Sequence, residues 1–474
     1  MAAGYELSDD QEVLIQSESR IPVVDRVDVV VAGGGVAGLS AAVGAGRTGA
    51  KTLLIEGQGF MGGIATASLM TLWTIPSPFV NGIAKEIYEG LSRDKGAVLG
   101  KSVPFHPEAF KALSLRMLHE ASVTLLFYTW VVDAITEENR VLGLVVENKS
   151  GRQAILANCV VDTTGDADVC ARSGAPWVKG RETDSKMRPV TLMFRMENVD
   201  LDEISEYRDQ HPAEFSPDPG HNALDRETGL LRLDGFFTLT EAARARGEID
   251  QNCHYLRLHG IGRSGRGVIT INSTRIYDVD GTSAEDLTHS YLEGERQIQQ
   301  LVHFLQTHVP GFEESSLLDS APSLGVRETR RIRGEYLLTE SDIATPILFP
   351  DAIARVYGHV PTGVEIHSPD AGEGGANDPY VRGLKLEMRE FFVPYRSLVP
   401  LQVEGLLVGG RCISVTHEAD SSTRTQPVCM ATGQAAGIAA GIGSRRGIQP
   451  RQLDARLVQQ ELLRQGVDLG RVVL

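Results

Sequence analysis

The chain has 474 residues, of which 42% are hydrophobic and 23% charged, and this composition excludes general disorder and a collagen-like repeat. The formal net charge of −16 argues against nonspecific binding to nucleic acid, and no apolar run approaches the roughly 20 residues that span a membrane. Five widely spaced cysteines without a Cys-x-x-Cys pair predict neither a disulfide framework nor an iron–sulfur site, and together with the polar N-terminal stretch they indicate a soluble cytoplasmic protein.

The first predicted element is a buried strand that leads directly into a glycine-rich turn. The run VDVVV over Val27–Val31 is typical of a parallel strand that is buried on both faces. The turn AGGGVAGL follows, then an Ala- and Gly-rich helix over 40–49 and a second strand over 51–55. Strand, turn, helix and strand is the order of a dinucleotide-binding unit.

The glycines of this turn have the spacing Gly33-x-Gly35-x-x-Gly38, and each has a physical reason. The first makes the tight turn, the second lets the backbone approach a pyrophosphate, and the third lets the helix pack closely. Free N–H groups at the start of the helix bind phosphate, and an acid that ends the second strand accepts ribose hydroxyls. The predicted dinucleotide contacts are Gly33, Gly35, Val36, Ala37, Gly38 and Glu56.

A second literal match to this spacing occurs at Gly260-x-Gly262-x-x-Gly265. It follows no convincing buried strand, and a strand-like stretch over 268–276 comes after it in place of a helix. We therefore predict a glycine-rich loop in a β region there. The chain has one dinucleotide site in this prediction, and a separate NAD(P)H domain is not expected.

Four later segments accompany the first site. Gly62-Gly63 follows the ribose acid, and a third strand over 157–163 ends in Thr164-Gly165-Asp166. A short buried strand over 405–408 runs into Gly409-Gly410-Arg411. Thr432-Gly433-Gln434 is predicted to open a helix of small residues.

With these segments the chain resembles the FAD-dependent oxidoreductase family, of the glutathione-reductase-like flavoprotein superfamily with two dinucleotide-binding domains. The resemblance extends from residue 21 to about residue 443. It rests on stretches that are specific in combination, among them IPVVDRVDVVVAGGGVAGLSAA, GFMGGIATA, VVDTTGDADVCARSGAP, GVRETRRIRGEYLLT and VPYRSLVPLQVEGLLVGGRCISVTHEADSSTRTQPVCMATGQAAGIAA.

The resemblance implies FAD as the cofactor and an α/β fold. A Rossmann-like FAD-binding domain, with a parallel sheet and an antiparallel meander, would be formed by residues 21–176 and 397–474. A mainly β substrate domain over 177–396 would be inserted in it, and apolar residues at helical spacing predict a helix over 284–308 there. Beyond the first turn, the implied FAD contacts are Gly62, Gly63, Val131, Thr164, Gly165, Asp166, Gly410, Arg411, Thr432, Gly433 and Gln434. Thr432–Gln434 would aim a helix N-terminus at the pyrimidine edge of the flavin, where reduction places negative charge. The excess of glycine, 50 of 474 residues, would partly serve this cofactor.

Hydride transfer also needs an acid or base near the flavin. His417, six residues after Arg411, is our first candidate, and a histidine that is hydrogen-bonded between the domains is the alternative. Arg424 could clamp an anionic group, or form a structural ion pair. Arg331 belongs to a group of arginines over 327–333 that could bind an anionic substrate, or pair with the many acids; a second group lies over 257–275.

The predicted function is FAD-dependent hydride transfer between a small polar substrate, either an acid or a sugar-like alcohol, and the flavin. A flavin monooxygenase and an FAD electron-transfer subunit of a larger redox complex are the alternatives. No metal site is predicted, because no cluster of His, Cys, Asp and Glu has ligand spacing. The expected partner is the small-molecule substrate, without nucleic acid or membrane, and a homo-oligomer is left open.

Overall fold

A computed structural model describes residues 5–7, 12, 14–16, 20–73, 80–100, 102–262, 265–360, 367–370 and 387–470. The strands of this part are β1 (Tyr5–Leu7), β2 (Leu14–Gln16), β3 (Val23–Ala32), β4 (Thr52–Ile55), β5 (Leu72–Trp73), β6 (Val103–Pro104), β7 (Thr124–Leu126), β8 (Trp130–Glu137), β9 (Arg140–Asn148), β10 (Gly151–Asp162), β11 (Trp177–Lys179), β12 (Phe194–Asp200), β13 (Asn222–Asp225), β14 (Leu230–Gly235), β15 (Leu256–Ile261), β16 (Arg266–Ile271), β17 (Ser316–Ser320), β18 (Arg330–Ile332), β19 (Ala352–His359), β20 (Met388–Pro394) and β21 (Leu406–Val408). The α-helices are α1 (Val36–Arg47), α2 (Gly82–Arg93), α3 (Pro107–Glu120), α4 (Asp168–Arg172), α5 (Leu201–Gln210), α6 (Phe237–Ala245), α7 (Ala284–His308), α8 (Glu340–Ala344), α9 (His417–Thr423), α10 (Gln426–Arg446) and α11 (Ala455–Arg464). None of these helices, which belong to the described residues, is long and apolar enough to cross a membrane.

The first sheet combines parallel strands with an antiparallel meander. Its strand order is β7-β4-β3-β10-β9-β8, and β21 pairs with the end of β10. Strands β7, β4, β3, β10 and β21 run parallel, whereas β8, β9 and the start of β10 form the meander. Val29, Val30 and Val31 of β3 have no exposed surface, as the apolar run predicts. The predicted Rossmann-like sheet and its meander are confirmed.

Two helices of small residues, α1 and α10, pack against each other and against this sheet. A Cβ added at Gly433 would lie 2.2 Å from the Ala37 carbonyl oxygen, and one at Gly437 would lie 1.9 Å from the Ala41 carbonyl oxygen. Real Cβ atoms do not come this close to backbone, so only glycine allows the two helix backbones to approach. Helix packing therefore explains glycines that the sequence analysis assigned to the cofactor.

The second sheet is antiparallel, with strand order β13-β14-β15-β16-β12-β17. It carries helix α7, which has the predicted bounds of 284–308. The second glycine motif begins within β15 and ends directly before β16, its antiparallel neighbour. A loop in a β region is therefore confirmed there, although residues 263 and 264 lie outside the described residues. Because residues 256–259 of β15 are buried, the expectation that no buried strand precedes the motif is wrong.

The buried hydrophobic side chains form two large clusters. The second cluster is drawn, apart from Leu69, from residues 192–321, and it fills the space between the second sheet and α7. The first cluster includes the first sheet, α1 and α10, and it also takes in β19, β20 and Tyr395. The packing thus assigns the described residues after about 330 to the first cluster, although the sequence prediction places the domain boundary at 396. The difference arises because β19, the antiparallel partner of β20, packs on α9, α10 and α11.

Candidate active site

The glycine turn after β3 has the geometry that its spacing predicts. Gly33 has a φ of +97°, and a Cβ on it would lie 2.8 Å from the carbonyl oxygen of Thr163. A Cβ on Gly38 would lie 1.8 Å from the Gly33 carbonyl oxygen. A Cβ on Gly35, by contrast, would meet no atom within 4 Å. The backbone of Gly35 therefore faces open space, as a ligand that approaches the turn requires.

The start of α1 is free to bind an anion. No side chain caps it and no acid lies in its first turn, which contains Val36 and Ala37. Glu56, which follows β4, accepts hydrogen bonds from the backbone N–H groups of Gly34 (2.6 Å) and Gln58 (2.7 Å). Burial raises the pKa of Glu56, while these backbone donors lower it in part. A helix start without acids and a carboxylate at the end of the next strand fit the phosphates and a ribose of a dinucleotide.

The Gly62-Gly63 pair lies directly on this turn. Gly62 and Gly35 form a parallel bridge, and the Gly62 N–H donates to the Gly34 carbonyl oxygen at 2.9 Å. The two glycines have φ values of +117° and +50°, which are accessible to glycine at little cost. The segment over 127–131 also reaches this corner, because Thr129 N–H donates to the Glu56 carbonyl oxygen at 3.2 Å. Val131, the last residue of this segment, is half-buried and belongs to β8.

The loop after β10 and the turn after β21 meet through Arg411. Its Nη2 lies 2.5 Å from Oδ1 of Asp166, and its Nη1 donates to the Val326 carbonyl oxygen at 2.6 Å. A Cβ on Gly165 would lie 3.0 Å from the same guanidinium. In the same loop Thr164 Oγ1 donates to Asp162 Oδ1 at 2.8 Å. The structure thus brings Thr164, Gly165, Asp166, Gly410 and Arg411 to one edge of the first sheet.

The prediction that Thr432–Gln434 open a helix is wrong, because α10 begins at Gln426, two turns earlier. Thr432 Oγ1 instead accepts the Gly410 N–H at 3.0 Å, and Gln434 Oε1 accepts the Ile83 N–H at 3.0 Å. These side chains join α10 to its neighbours. The sequence contains the correct signal, since Pro427 in the first turn after Thr425 is typical of a helix start.

His417 is the first residue of α9 and has no exposed surface. Its Nδ1 lies 2.8 Å from Oε1 of Glu328, and Arg331 binds the same oxygen. Burial favours a raised pKa for Glu328, but the hydrogen bond from His417 and the charge of Arg331 outweigh it and lower the pKa. A general base must reach the proton that it removes. Complete burial therefore favours the alternative in which His417 is hydrogen-bonded between the two parts of the fold.

Arg331 is a cross-link rather than an open anion site. Besides Glu328, its guanidinium donates to the carbonyl oxygens of Val415 (3.1 Å) and Gly180 (2.9 Å). The side chain is 1% exposed. The predicted catalytic role does not fit these contacts, because all three nitrogens already bind the protein.

Arg424 lies between α9 and α10, one residue before Thr425, which precedes α10. Its Nε lies 3.7 Å from Oδ2 of Asp420, and Nε of Arg188 lies 3.6 Å from the same oxygen. Burial and the nearby Glu328 raise the pKa of Asp420, although the two arginines oppose this. Burial lowers the pKa of Arg424 to about 10. Its side chain remains 16% exposed, unlike those of His417 and Arg331.

Arg424 belongs to a group that we call the arginine cluster, formed by Arg257, Arg275, Arg327 and Arg424. Arg257 is in β15 and forms an ion pair with Asp234 at 3.2 Å. Arg327 donates Nη1 to the Pro189 carbonyl oxygen at 2.6 Å, and no carboxylate of the described residues lies within 4.0 Å of it. Burial, reinforced by the charges of the other three arginines, holds the pKa of Arg327 well below its usual value. The fold therefore places four guanidinium groups near one another, of which those of Arg257, Arg275 and Arg327 are buried.

All five cysteines belong to the described residues, and all are buried without a disulfide. Burial raises the pKa of Cys429 to about 12 and that of Cys412 well above its usual value. These thiols are inert at neutral pH. In the part of the chain described, no group of three or more His, Cys, Asp and Glu side chains could hold a metal ion.

The sequence profile of a family described as FAD dependent oxidoreductase matches residues 28–462. The chain belongs to this family. Its cofactor is FAD, and the family's description gives its members an oxidoreductase activity. Its place in the wider glutathione-reductase-like superfamily stays a prediction.

Individual relatives are more distant. The chain is 32% identical to the thiamine thiazole synthase of Methanococcus vannielii over 160 residues, which are 30% of this chain and 58% of that protein. The chain thus spans less than two thirds of the length of this curated relative. Among solved structures, a geranylgeranyl bacteriochlorophyll reductase-like protein from Thermoplasma acidophilum is 13% identical, with a TM-score of 0.46 over 92% of this chain and 82% of that one. The p-nitrophenol 4-monooxygenase PnpA from Pseudomonas putida DLL-E4 is 10% identical, with a TM-score of 0.47 over 93% and 85%.

Proposed function

We propose that this flavoenzyme transfers a hydride between FAD and a small polar substrate, an acid or a sugar-like alcohol, beside the arginine cluster. The observation that supports this most directly is the double contact of Arg411. Nη2 of Arg411 forms an ion pair with Asp166, in the loop after β10. Nη1 donates to the carbonyl oxygen of Val326, the residue directly before Arg327. The loops proposed to contact FAD therefore adjoin the cluster proposed to contact substrate.

FAD, when bound, supplies the group that accepts or gives the hydride. The open side of Gly35, the uncapped start of α1 and the carboxylate of Glu56 fit the ADP half of this cofactor. The residues that we propose to hold FAD are Gly33, Gly35, Val36, Ala37, Gly38, Glu56, Gly62, Gly63, Val131, Thr164, Gly165, Asp166, Gly410 and Arg411. The start of α10 at Gln426 takes the role first assigned to Thr432–Gln434, since a helix N-terminus stabilises negative charge.

The chain's own polar residues divide into two roles in this proposal. Arg424, which is partly exposed, orients the substrate. His417 and Arg331 act as positioning residues, because they hold Glu328 and thereby the segment that carries Arg327. Gln426 fixes the start of α10, since it accepts from Trp73 Nε1 at 2.9 Å and donates to the Met70 carbonyl oxygen at 2.7 Å.

The flavin content of the purified protein and the bleaching of its visible band by substrates test this function. We expect the protein to be yellow, with about one FAD per chain, and to be bleached anaerobically in its visible band by members of a library of small acids and sugar-like alcohols. Reoxidation is then followed in stopped flow with oxygen and with ferricyanide. A colourless protein that takes up no FAD would contradict the whole proposal.

Two other outcomes separate the alternatives. Oxygen consumption that depends on NADPH, with no anaerobic bleaching by any substrate, would indicate a monooxygenase. Bleaching only by a reduced partner protein would indicate an electron-transfer subunit. Either result would replace hydride transfer from a small substrate.

A further inference from the structure

We propose that the arginine cluster is a carboxylate subsite, in which Arg327 and Arg424 bind a carboxylate of the substrate. This inference rests on the proposed function and selects the acid over the sugar-like alcohol. It concerns the guanidinium groups of Arg327, which is buried, and of Arg424, which is partly exposed. Neither has a full set of partners among the described residues.

Arg327 is the central observation. It is 6% exposed, and its one hydrogen bond among the described residues runs from Nη1 to the Pro189 carbonyl oxygen. The neighbouring Glu328 is turned to His417 and Arg331, so no carboxylate among the described residues pairs with Arg327. Burial of a charge without a counter-charge destabilises the folded protein, so such a residue is usually paired, or is kept for a ligand.

Arg424 adds a second group of this kind. Its Nε is buried without a hydrogen-bond partner, and its nearest carboxylate, that of Asp420, is 3.7 Å away and lies near Arg188 as well. One aspartate therefore faces two arginines here. Glu328 is likewise shared by Arg188, Arg331 and His417, so the arginines outnumber the carboxylates here. An anion bound by Arg327 and Arg424 would offset part of this positive charge.

The chemistry of the groups around these two arginines favours a carboxylate. Guanidinium groups are planar and bind carboxylates through two parallel N–H bonds. A phosphate site would add a nest of backbone N–H groups, whereas this cluster is built from side chains on several separate segments. His367 lies close to Arg327, Arg275 and Arg424. Burial and these charges hold its pKa well below the usual value, so the imidazole adds no positive charge at pH 7.

Anions and a neutral analogue, added to the oxidised holoenzyme, test the subsite. Acetate, oxalate, inorganic phosphate and acetamide are titrated while the flavin spectrum and the melting temperature are followed. We expect acetate or oxalate to perturb the spectrum and raise the melting temperature, and acetamide to do neither at equal concentration.

Variants identify the residues. Arg327→Gln should weaken carboxylate binding by about 10- to 100-fold and leave FAD content unchanged. It should also melt no lower than the wild type without ligand, because it removes a buried charge that lacks a counter-charge. Arg327→Lys, which keeps the charge, should bind carboxylate with intermediate affinity. The matched control is Arg296→Gln, on the exposed side of α7, which should bind carboxylate as the wild type does.

Equal binding of acetate and acetamide, or binding of phosphate without acetate, would overturn the carboxylate subsite. So would an Arg327→Gln variant that binds carboxylate with wild-type affinity. None of these results would affect FAD content or bleaching by substrate, so failure of the subsite can be told apart from failure of the proposed function.

Discussion

At the scale of single residues, the site combines the glycine turn after β3 with the arginines over 327–331. Gly33 and Gly38 have local causes, a tight turn and a close backbone contact, that a spacing in the sequence expresses. Arg331 and Arg327 lie four residues apart in the same arginine-rich stretch. All three nitrogens of the Arg331 guanidinium bind the protein, whereas Arg327 makes one hydrogen bond among the described residues. That difference depends on Val415, Gly180 and Glu328, whose positions relative to the arginines only the fold determines.

Gly35 gives a prediction at this scale. Gly35→Ala adds a methyl group that meets no protein atom, and the φ of −67° suits alanine. We therefore expect an apoprotein of unchanged melting temperature that binds FAD about tenfold or more weakly, because the methyl group lies where the pyrophosphate is proposed to approach. Flavin content and isothermal titration with FAD measure this.

Gly220→Ala is the matched control, since Gly220 lies away from the turn and has an ordinary backbone conformation. It should bind FAD as the wild type does. If Gly35→Ala also retained full affinity, the cofactor would not pass over this turn.

At the scale of elements, strands and helices were predicted well wherever the pattern was local. The apolar patterns predict the positions of β3, β4 and α7. The meander lies in the part of the chain to which the resemblance assigns it. The helix α10 starts at Gln426 and not at Thr432, because the small residues over 435–441 lie in the buried middle of the helix and not at its start. Contact with α1, rather than with a cofactor, explains the small residues in the middle.

The crossing of α1 and α10 gives the second prediction. Gly437→Ala would place a Cβ 1.9 Å from the Ala41 carbonyl oxygen and force the helix backbones apart. We expect the free energy of unfolding to fall by about 3 kcal/mol, measured by guanidinium denaturation. Arg446→Ala, at the exposed end of α10, is the control and should change it little. A Gly437→Ala variant of wild-type stability would show that the crossing tolerates a side chain.

At the scale of the whole molecule, the family and its interleaved sheet could be predicted, whereas the contact surface between the two hydrophobic clusters could not. His259 of the second sheet illustrates this surface. Its Nε2 lies 3.2 Å from Oγ1 of Thr71, which belongs to the segment after Gly62-Gly63. Burial and the charge of Arg232 lower the pKa of His259 to about 3. His259 and Thr71 are 188 positions apart in the chain, so no local sequence pattern predicts that they meet.

The lowered pKa of His259 gives a prediction for the pH dependence of stability. The unfolded chain takes up a proton on this histidine near its usual pKa of about 6.5, but the folded protein does so only near pH 3. The stability that the neutral form contributes is therefore complete above about pH 6.5 and is lost as the pH falls toward 3. His259→Gln should make the fall between pH 6 and 4 shallower by about 1.4 kcal/mol per pH unit.

Guanidinium denaturation at several pH values measures the slope, and His289→Gln, an exposed change in α7, is the control. A slope unchanged by His259→Gln would mean that the ring is protonated within the fold.

The pairing of β10 with β21 has a consequence for synthesis on the ribosome. β10 ends at Asp162, but its parallel neighbour begins at Leu406 and the helix that covers α1 ends at Arg446. The second cluster comes almost wholly from the unbroken stretch 192–321, so it is complete before either of them is translated. In the nascent chain, the face of α1 that carries Ala37 and Ala41 therefore stays uncovered while the second cluster folds. The sheet that the N-terminal strands begin can be completed only after the last quarter of the chain, with β21 and α10, has been translated.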